Sequence, residues 1–221
     1  LMPDLSNGRD TDFFFIEKEN PEEAADEIVN LVKTRLSQHY RIPSSAIQVL
    51  APMQRGVVGA TNLNQMLQDA LNPVGDGLKR GGFLFKTHDK VMQIKNDYDK
   101  EVFNGDIGEV SDVNLEDREL TVNFDNRSVV YDASELDQLV LAYAATIHKS
   151  QGSEYPVVVM PILMTHYVML QRNLVYTGVT RAKKLLVIVG TKKALSMAVR
   201  NTSIDKRNTL LAKRIKESLE K

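Results

Sequence analysis

Two short blocks carry residue types that can do chemistry on phosphate groups. Thr146–Tyr155 reads TIHKSQGSEY, and Tyr176–Lys183 reads YTGVTRAK. Each sets hydroxyls, a basic side chain and a glycine in one segment beside an apolar run. Hydroxyls, a ring N–H and an ammonium all reach phosphate oxygens without reading base identity, so Thr146, His148, Lys149 and Ser150 form one candidate set. Arg181 in the second block offers a planar fork of donors that bonds two oxygens of one phosphoryl group while staying charged, which lysine cannot do. A third block, APMQRGVVG at Ala51–Gly59, adds Arg55. Alone, Arg55 would be an ordinary loop residue ahead of a helix.

These blocks need strands to hold them. Apolar runs at Leu139–Ala145, Val157–Met160 and Leu185–Val189 flank the first two, so polar loops recur at strand ends of an α/β sheet, where ligands sit. Toward the N-terminus, Phe13–Ile16 reads as a strand. Asn20-Pro21-Glu22-Glu23 then reads as a helix start, with Asn20 as N-cap and proline in the first turn. Ala25, Ile28, Val32 and Leu36 recur at helical spacing and give that helix one buried face. Ile47–Leu50 follows as the strand before Arg55, and Thr61–Leu71 as the next helix. A helix is expected over Gln171–Val179, ending at Arg181, and another over Asn208–Glu220, with Leu211, Ile215 and Leu219 on one stripe. Leu1–Thr11 is polar and is expected to be poorly ordered.

The pattern changes after Asn72-Pro73. Gly75, Gly77, Gly81 and Gly82 suggest a flexible crossing, and short β segments follow at Val91–Ile94, Ile107–Val113, Glu119–Phe124 and Ser128–Tyr131. Asn104-Gly105 and Asn126 are turn residues between them. Such strands suggest a small barrel inserted between two halves of the α/β domain.

Composition narrows the function classes. The 221 residues hold 28 basic and 29 acidic side chains, a net charge of −1, so any nucleic-acid contact must come from a local patch. With no cysteine, disulfides and thiolate metal sites are excluded. His39, His88, His148 and His166 are scattered without ligand spacing, and no metal site is expected. The apolar runs are too short for a membrane span and the start lacks a signal-peptide pattern, so a cytoplasmic protein is expected.

The blocks T-x-H-K-S-Q-G-x-E and T-R-A resemble, in order and spacing, the fifth and sixth motifs of superfamily 1 helicases in the form used by the RecD-like (RecD/TraA) DNA helicases of bacteria. Val91–Val110 resembles their SH3-like insertion. The resemblance implies a RecA-like parallel sheet flanked by helices over residues 12–85 and 139–200, an inserted SH3-like β-barrel over 86–138, and a C-terminal helix in 201–221. It implies that Arg181 is an arginine finger and that Arg55 also points at the nucleotide phosphates. Gln151, Gly152 and Glu154 would lie on the ATP side, with Glu154 accepting from a ribose hydroxyl. Thr146, His148, Lys149 and Ser150 would face the backbone of single-stranded DNA, and Asn104 would touch DNA from the insertion.

A motor that hydrolyses ATP with Mg²⁺ also needs a phosphate loop, and the chain contains no Gly-Lys dipeptide. Asp26-Glu27 falls inside a helix rather than at a strand end. The expectation is the C-terminal motor domain of a 5′–3′ helicase, completed by an N-terminal motor domain of the same protein, with nuclease-complex subunits as further candidate partners, and without ATPase activity alone. The alternative is a stand-alone helicase-derived module that binds single-stranded nucleic acid or protein.

Overall fold

The computed structural model describes Leu5, residues 11–125 and 127–202, and Ser218. The expectations for Leu1–Thr11, for Asn126 and for the C-terminal helix therefore lie wholly or largely outside the described residues. In chain order the first half runs β1 (Phe13–Glu17), α1 (Pro21–Asn30), a wider π-type turn over Leu31–Arg35, α2 (Leu36–Tyr40), β2 (Ile47–Ala51) and α3 (Ala60–Leu71). Next come β3 (Gly77–Arg80), β4 (Phe83–Lys86), β5 (Lys90–Gln93), β6 (Ile107–Asn114), β7 (Glu119–Phe124), β8 (Arg127–Asp132) and β9 (Leu139–Leu141). The chain closes with β10 (Ala144–Thr146), β11 (Tyr155–Ile162), α4 (Arg172–Val179), β12 (Ala182–Gly190) and α5 (Lys192–Arg200).

Asn20 caps α1 as its residue type predicts: its Oδ1 accepts from the Glu23 backbone N–H at 3.0 Å. Ala25, Ile28, Val32 and Leu36 are all buried, the face their spacing requires. They cover one side of a five-stranded sheet of order β1-β12-β11-β2-β10, whose described pairings are all parallel. Alternate strand residues divide between two cores. Val49, Val157, Val159 and Val187 pack under α1 and α3, whereas Leu50, Val158, Met160, Leu186 and Ile188 pack under α4 and α5. A strand buried on both faces reads as a continuous apolar run, which is why these strands stand out in the sequence.

The run Leu139–Ala145, expected to be a single strand, is two strands in two sheets. β9 pairs antiparallel with β5 in the inserted unit, and after Ala142-Tyr143 the chain enters β10, which pairs with β2. The glycine-rich crossing is a hairpin of β3 and β4 turning at Gly81-Gly82, both at positive φ, and Leu78 and Phe85 on it are buried in the inserted unit's core. The antiparallel strands of this part of the chain run from Gly77 to Leu141. Its main sheet has the order β8-β7-β6-β5-β9. These pairings give an antiparallel sheet and a hairpin, and closure into a barrel is not among them.

No helix of the described residues is long and apolar enough to cross a membrane, and no cluster of metal-ligating side chains occurs among them.

Candidate nucleotide and strand-binding site

Register decides which candidates can meet. Thr146 is level with Ala51, so β10 and β2 end at the same edge of the parallel sheet. Tyr155 is level with Ala182, and Val157 with Ile47, so β11 and β12 begin at the opposite edge. The segment from Thr146 to Glu154 therefore travels from one edge of the sheet to the other.

At the strand-start edge, the Arg181 guanidinium is held by three bonds. Nε donates to the Thr177 carbonyl at 3.1 Å, Nη1 to the Ser153 carbonyl at 3.0 Å and Nη2 to Thr180 Oγ1 at 3.1 Å. The Tyr155 N–H donates to the Arg181 carbonyl at 2.8 Å, so backbone and side chain both tie the two motifs together. Glu154 lies beside them, its Oε2 2.9 Å from Lys183 Nζ. The bond from Lys183 and its charge, with the charge of Arg181, hold the Glu154 carboxyl below the usual carboxylate range. The expected proximity of Glu154 and Arg181 is therefore present. Lys183 as the partner of Glu154 was missed, although its position two residues after Arg181 at the start of a strand was a usable signal.

Gln151 and Gly152 form the exposed bend of the crossing, with Gly152 at φ +90°, a conformation that favours glycine.

At the strand-end edge, Thr146 is half-buried while His148 and Lys149 are exposed on a single turn, Ile147–Ser150. Ile147 anchors that turn in the core. Ser150 does not face outward as the resemblance implied: it is fully buried and its hydroxyl donates to the Ile147 carbonyl at 2.7 Å. A four-residue turn must direct some side chains inward, and here they are the first and the last.

Arg55 also belongs to this edge. It is exposed on the loop after β2, which closes on itself through Ala60 N to Met53 O and Thr61 N to Gln54 O, both at 3.0 Å. Gly59 permits that closure, because a Cβ there would lie 2.4 Å from the Arg55 carbonyl oxygen. A cleft beside the loop is lined by Gln54, Thr146, Lys149 and Phe83. The expectation that Arg55 and Arg181 share one edge is corrected by the register: β2 ends where β12 does not begin. Asn104 is exposed on the loop between β5 and β6, beyond Gln93, and its N–H is bonded to Asn96 Oδ1.

A parallel sheet with helices on both faces, polar loops at both strand edges and an inserted antiparallel sheet is a fold that helicase motor domains share. Residues 63–124 match the model of the ATP-dependent RecD-like DNA helicase SH3 domain, and residues 141–189 match the UvrD-like helicase C-terminal domain. The chain is related to the RecD-like helicases, and what it corresponds to is their C-terminal region. It is 40% identical over 171 residues to the ATP-dependent RecD2 DNA helicase of Deinococcus radiodurans, covering 77% of this chain and 24% of that protein. It is 32% identical over 162 residues to the RecBCD enzyme subunit RecD of Haemophilus influenzae, covering 73% of this chain and 24% of that one. The chain thus spans about a quarter of the length of these relatives. Its fold is similar to that of a Pif1 helicase from Bacteroides in complex with ADP-AlF3 and ssDNA, with a TM-score of 0.51 at 17% identity, covering 88% of this chain and 49% of the other.

Proposed function

We propose that the chain is the C-terminal motor domain of an ATP-dependent 5′–3′ DNA helicase, supplying an arginine finger and contacts to the backbone of single-stranded DNA. The observation that carries this reading is the path of Thr146–Glu154: one end bears Thr146, His148 and Lys149, and the other is bonded to Arg181. Any shift of Arg181 toward a phosphate pulls on the Ser153 carbonyl, and through it on the turn that would grip the strand.

The guanidinium fits the finger role. It has five N–H donors, and with three engaged one remains on each of Nη1 and Nη2. Two free donors on a charged guanidinium suit the oxygens of a transferring phosphoryl group, where charge accumulates in the transition state. Glu154, already ionised beside Lys183, can accept from a ribose hydroxyl. ATP with Mg²⁺ supplies the reacting phosphate when bound, and this sequence has no phosphate-loop motif. The cradle therefore comes from an N-terminal motor domain of the full-length protein, and ATP lies in the cleft between the two.

Register supports a place for Arg55 with Thr146 and Lys149, so in this reading it grips the DNA backbone rather than the nucleotide. Backbone contact requires no base-specific side chain, which suits a motor that moves along any sequence.

The deciding experiment is Arg181→Ala in the full-length protein. DNA-stimulated ATP hydrolysis should collapse while the affinity for single-stranded DNA stays near wild type; loss of DNA binding with hydrolysis retained would reverse the assignment.

A further inference from the structure

Asp89 has no exposed surface and sits where the inserted unit joins the parallel sheet. Its carboxylate receives four donors. Oδ1 accepts from Asn72 Nδ2 at 2.8 Å and from the Tyr143 hydroxyl at 2.9 Å, and Oδ2 accepts from the Lys86 backbone N–H at 2.7 Å and from Gln68 Nε2 at 2.5 Å. Four donors fill the acceptor sites of the two oxygens, which is what a polar group needs if it is buried away from water.

The donors come from both sides of the junction. Gln68 lies on α3 and Asn72 caps its end, Lys86 ends β4, and Tyr143 lies in the two-residue link between β9 and β10. The same side chains hold further parts of the joint. Gln68 Nε2 also donates to the Leu84 carbonyl, Asn72 Nδ2 to the Thr87 carbonyl, and Lys86 Nζ to the Asn72 carbonyl. Lys90 Nζ reaches across to the Ser45 carbonyl at 3.1 Å, and Gln48 Nε2 donates to the Ala142 carbonyl at 3.0 Å. Three residues after Tyr143 the chain reaches Thr146, at the edge that bears Arg55.

We infer that Asp89 is a positioning residue that locks the inserted sheet and the parallel sheet into one body, so that the insertion and the Thr146–Lys149 turn move together when the motor cleft closes. Hydrophobic packing alone would let the two units slide; four directional bonds to one carboxylate fix their angle. Asparagine at this position has the same shape but cannot serve. Whichever way its amide is turned, an NH₂ group faces two donors.

The functional part of this inference rests on the helicase reading, while the mechanical part does not, and the test separates them. In the full-length protein, with spin labels at Glu19 and Asp117 and other cysteines removed, the wild type should give a single narrow distance distribution. Asp89→Asn should broaden it at least twofold, and Tyr143→Phe, which removes one donor of four, should broaden it less. The same variants should raise the ATP consumed per base pair opened at least fivefold, while hydrolysis stimulated by single-stranded DNA stays within twofold. Variants that melt earlier but keep the wild-type distribution and ATP cost would overturn the inference and leave Asp89 a core polar group. If Asp89→Asn fails to fold, Tyr143→Phe carries the test. A wild type that opens no duplex would defeat the helicase reading, and the distance measurement would still decide whether the joint is rigid.

Discussion

Arg181 donates from Nη1 to the carbonyl oxygen of Ser153 across 3.0 Å, joining two segments 28 residues apart in sequence. The bond adds a side-chain tie to the backbone pairing of β11 and β12, where the Tyr155 N–H already donates to the Arg181 carbonyl. Its partner is a backbone carbonyl, so no substitution at Ser153 removes the acceptor. Replacing the Arg181 side chain removes this bond and leaves the backbone tie from Tyr155 in place.

Arg181→Lys keeps the charge and loses the fork, so it separates charge from geometry. In the full-length protein kcat for DNA-stimulated ATP hydrolysis should fall for both lysine and alanine variants, by about 10³-fold for alanine. Lysine should recover less than a tenth of the loss, as read by steady-state turnover at saturating ATP and DNA.

Arg55→Ala should act on the strand instead. The affinity for single-stranded DNA should fall at every sequence tested, and the slope of log affinity against log salt should lessen by about 0.7, the loss of one phosphate contact. Fluorescence anisotropy titrations at several salt concentrations read both. A variant with normal DNA affinity but defective turnover at saturating DNA would return Arg55 to the nucleotide side.

Gly59→Ala should loosen the Arg55 loop, because the new methyl carbon would sit 2.4 Å from the Arg55 carbonyl carbon and oxygen. The bonds from Ala60 to Met53 and from Thr61 to Gln54 must stretch or break. The expected cost is about 1–3 kcal/mol in urea unfolding, together with weaker DNA binding.

His166 gives the chain a pH dependence of known sign. Its ring is buried, Nδ1 accepts from the Leu163 N–H, and burial lowers its pKa from 6.5 to about 4. The folded state keeps the ring neutral while the unfolded chain protonates it near 6.5. The stabilisation is thus fully present above pH 6.5 and is lost as the pH falls toward 4. By pH 5 the wild type should lose about 2 kcal/mol that a His166→Gln variant does not lose. Thermal melts of both proteins between pH 7 and 5 check this.

The parallel sheet and its helices were legible because their signals are local: an Asn-Pro start, a helical stripe, and apolar runs buried on both faces. The break at Ala142-Tyr143 was not legible. Residues 139–145 are apolar throughout, and only the partner strands, β5 and β2, reveal that the run changes sheets. The hairpin at Gly77–Lys86 was hidden for a related reason, since glycines that permit a tight turn also suggest a loose linker. At the site, residue types singled out the polar loops, whereas edge and orientation depended on register. Register separated Arg55 from Arg181, and the tightness of one turn drew Ser150 into the core. Asp89 offered only a single acid ahead of an apolar strand, and its four donors come from positions up to 54 residues away.

The order of pairing bears on how the chain is made. β1 pairs with β12, and β2 with β10 and β11, so the described ladder partners of the first two strands all lie beyond residue 143. On the ribosome, both strands emerge with open edges and wait while the whole inserted unit is translated. A message truncated or stalled in that interval releases a fragment with two apolar, unpaired strands, the kind of species that chaperones bind and that otherwise aggregates.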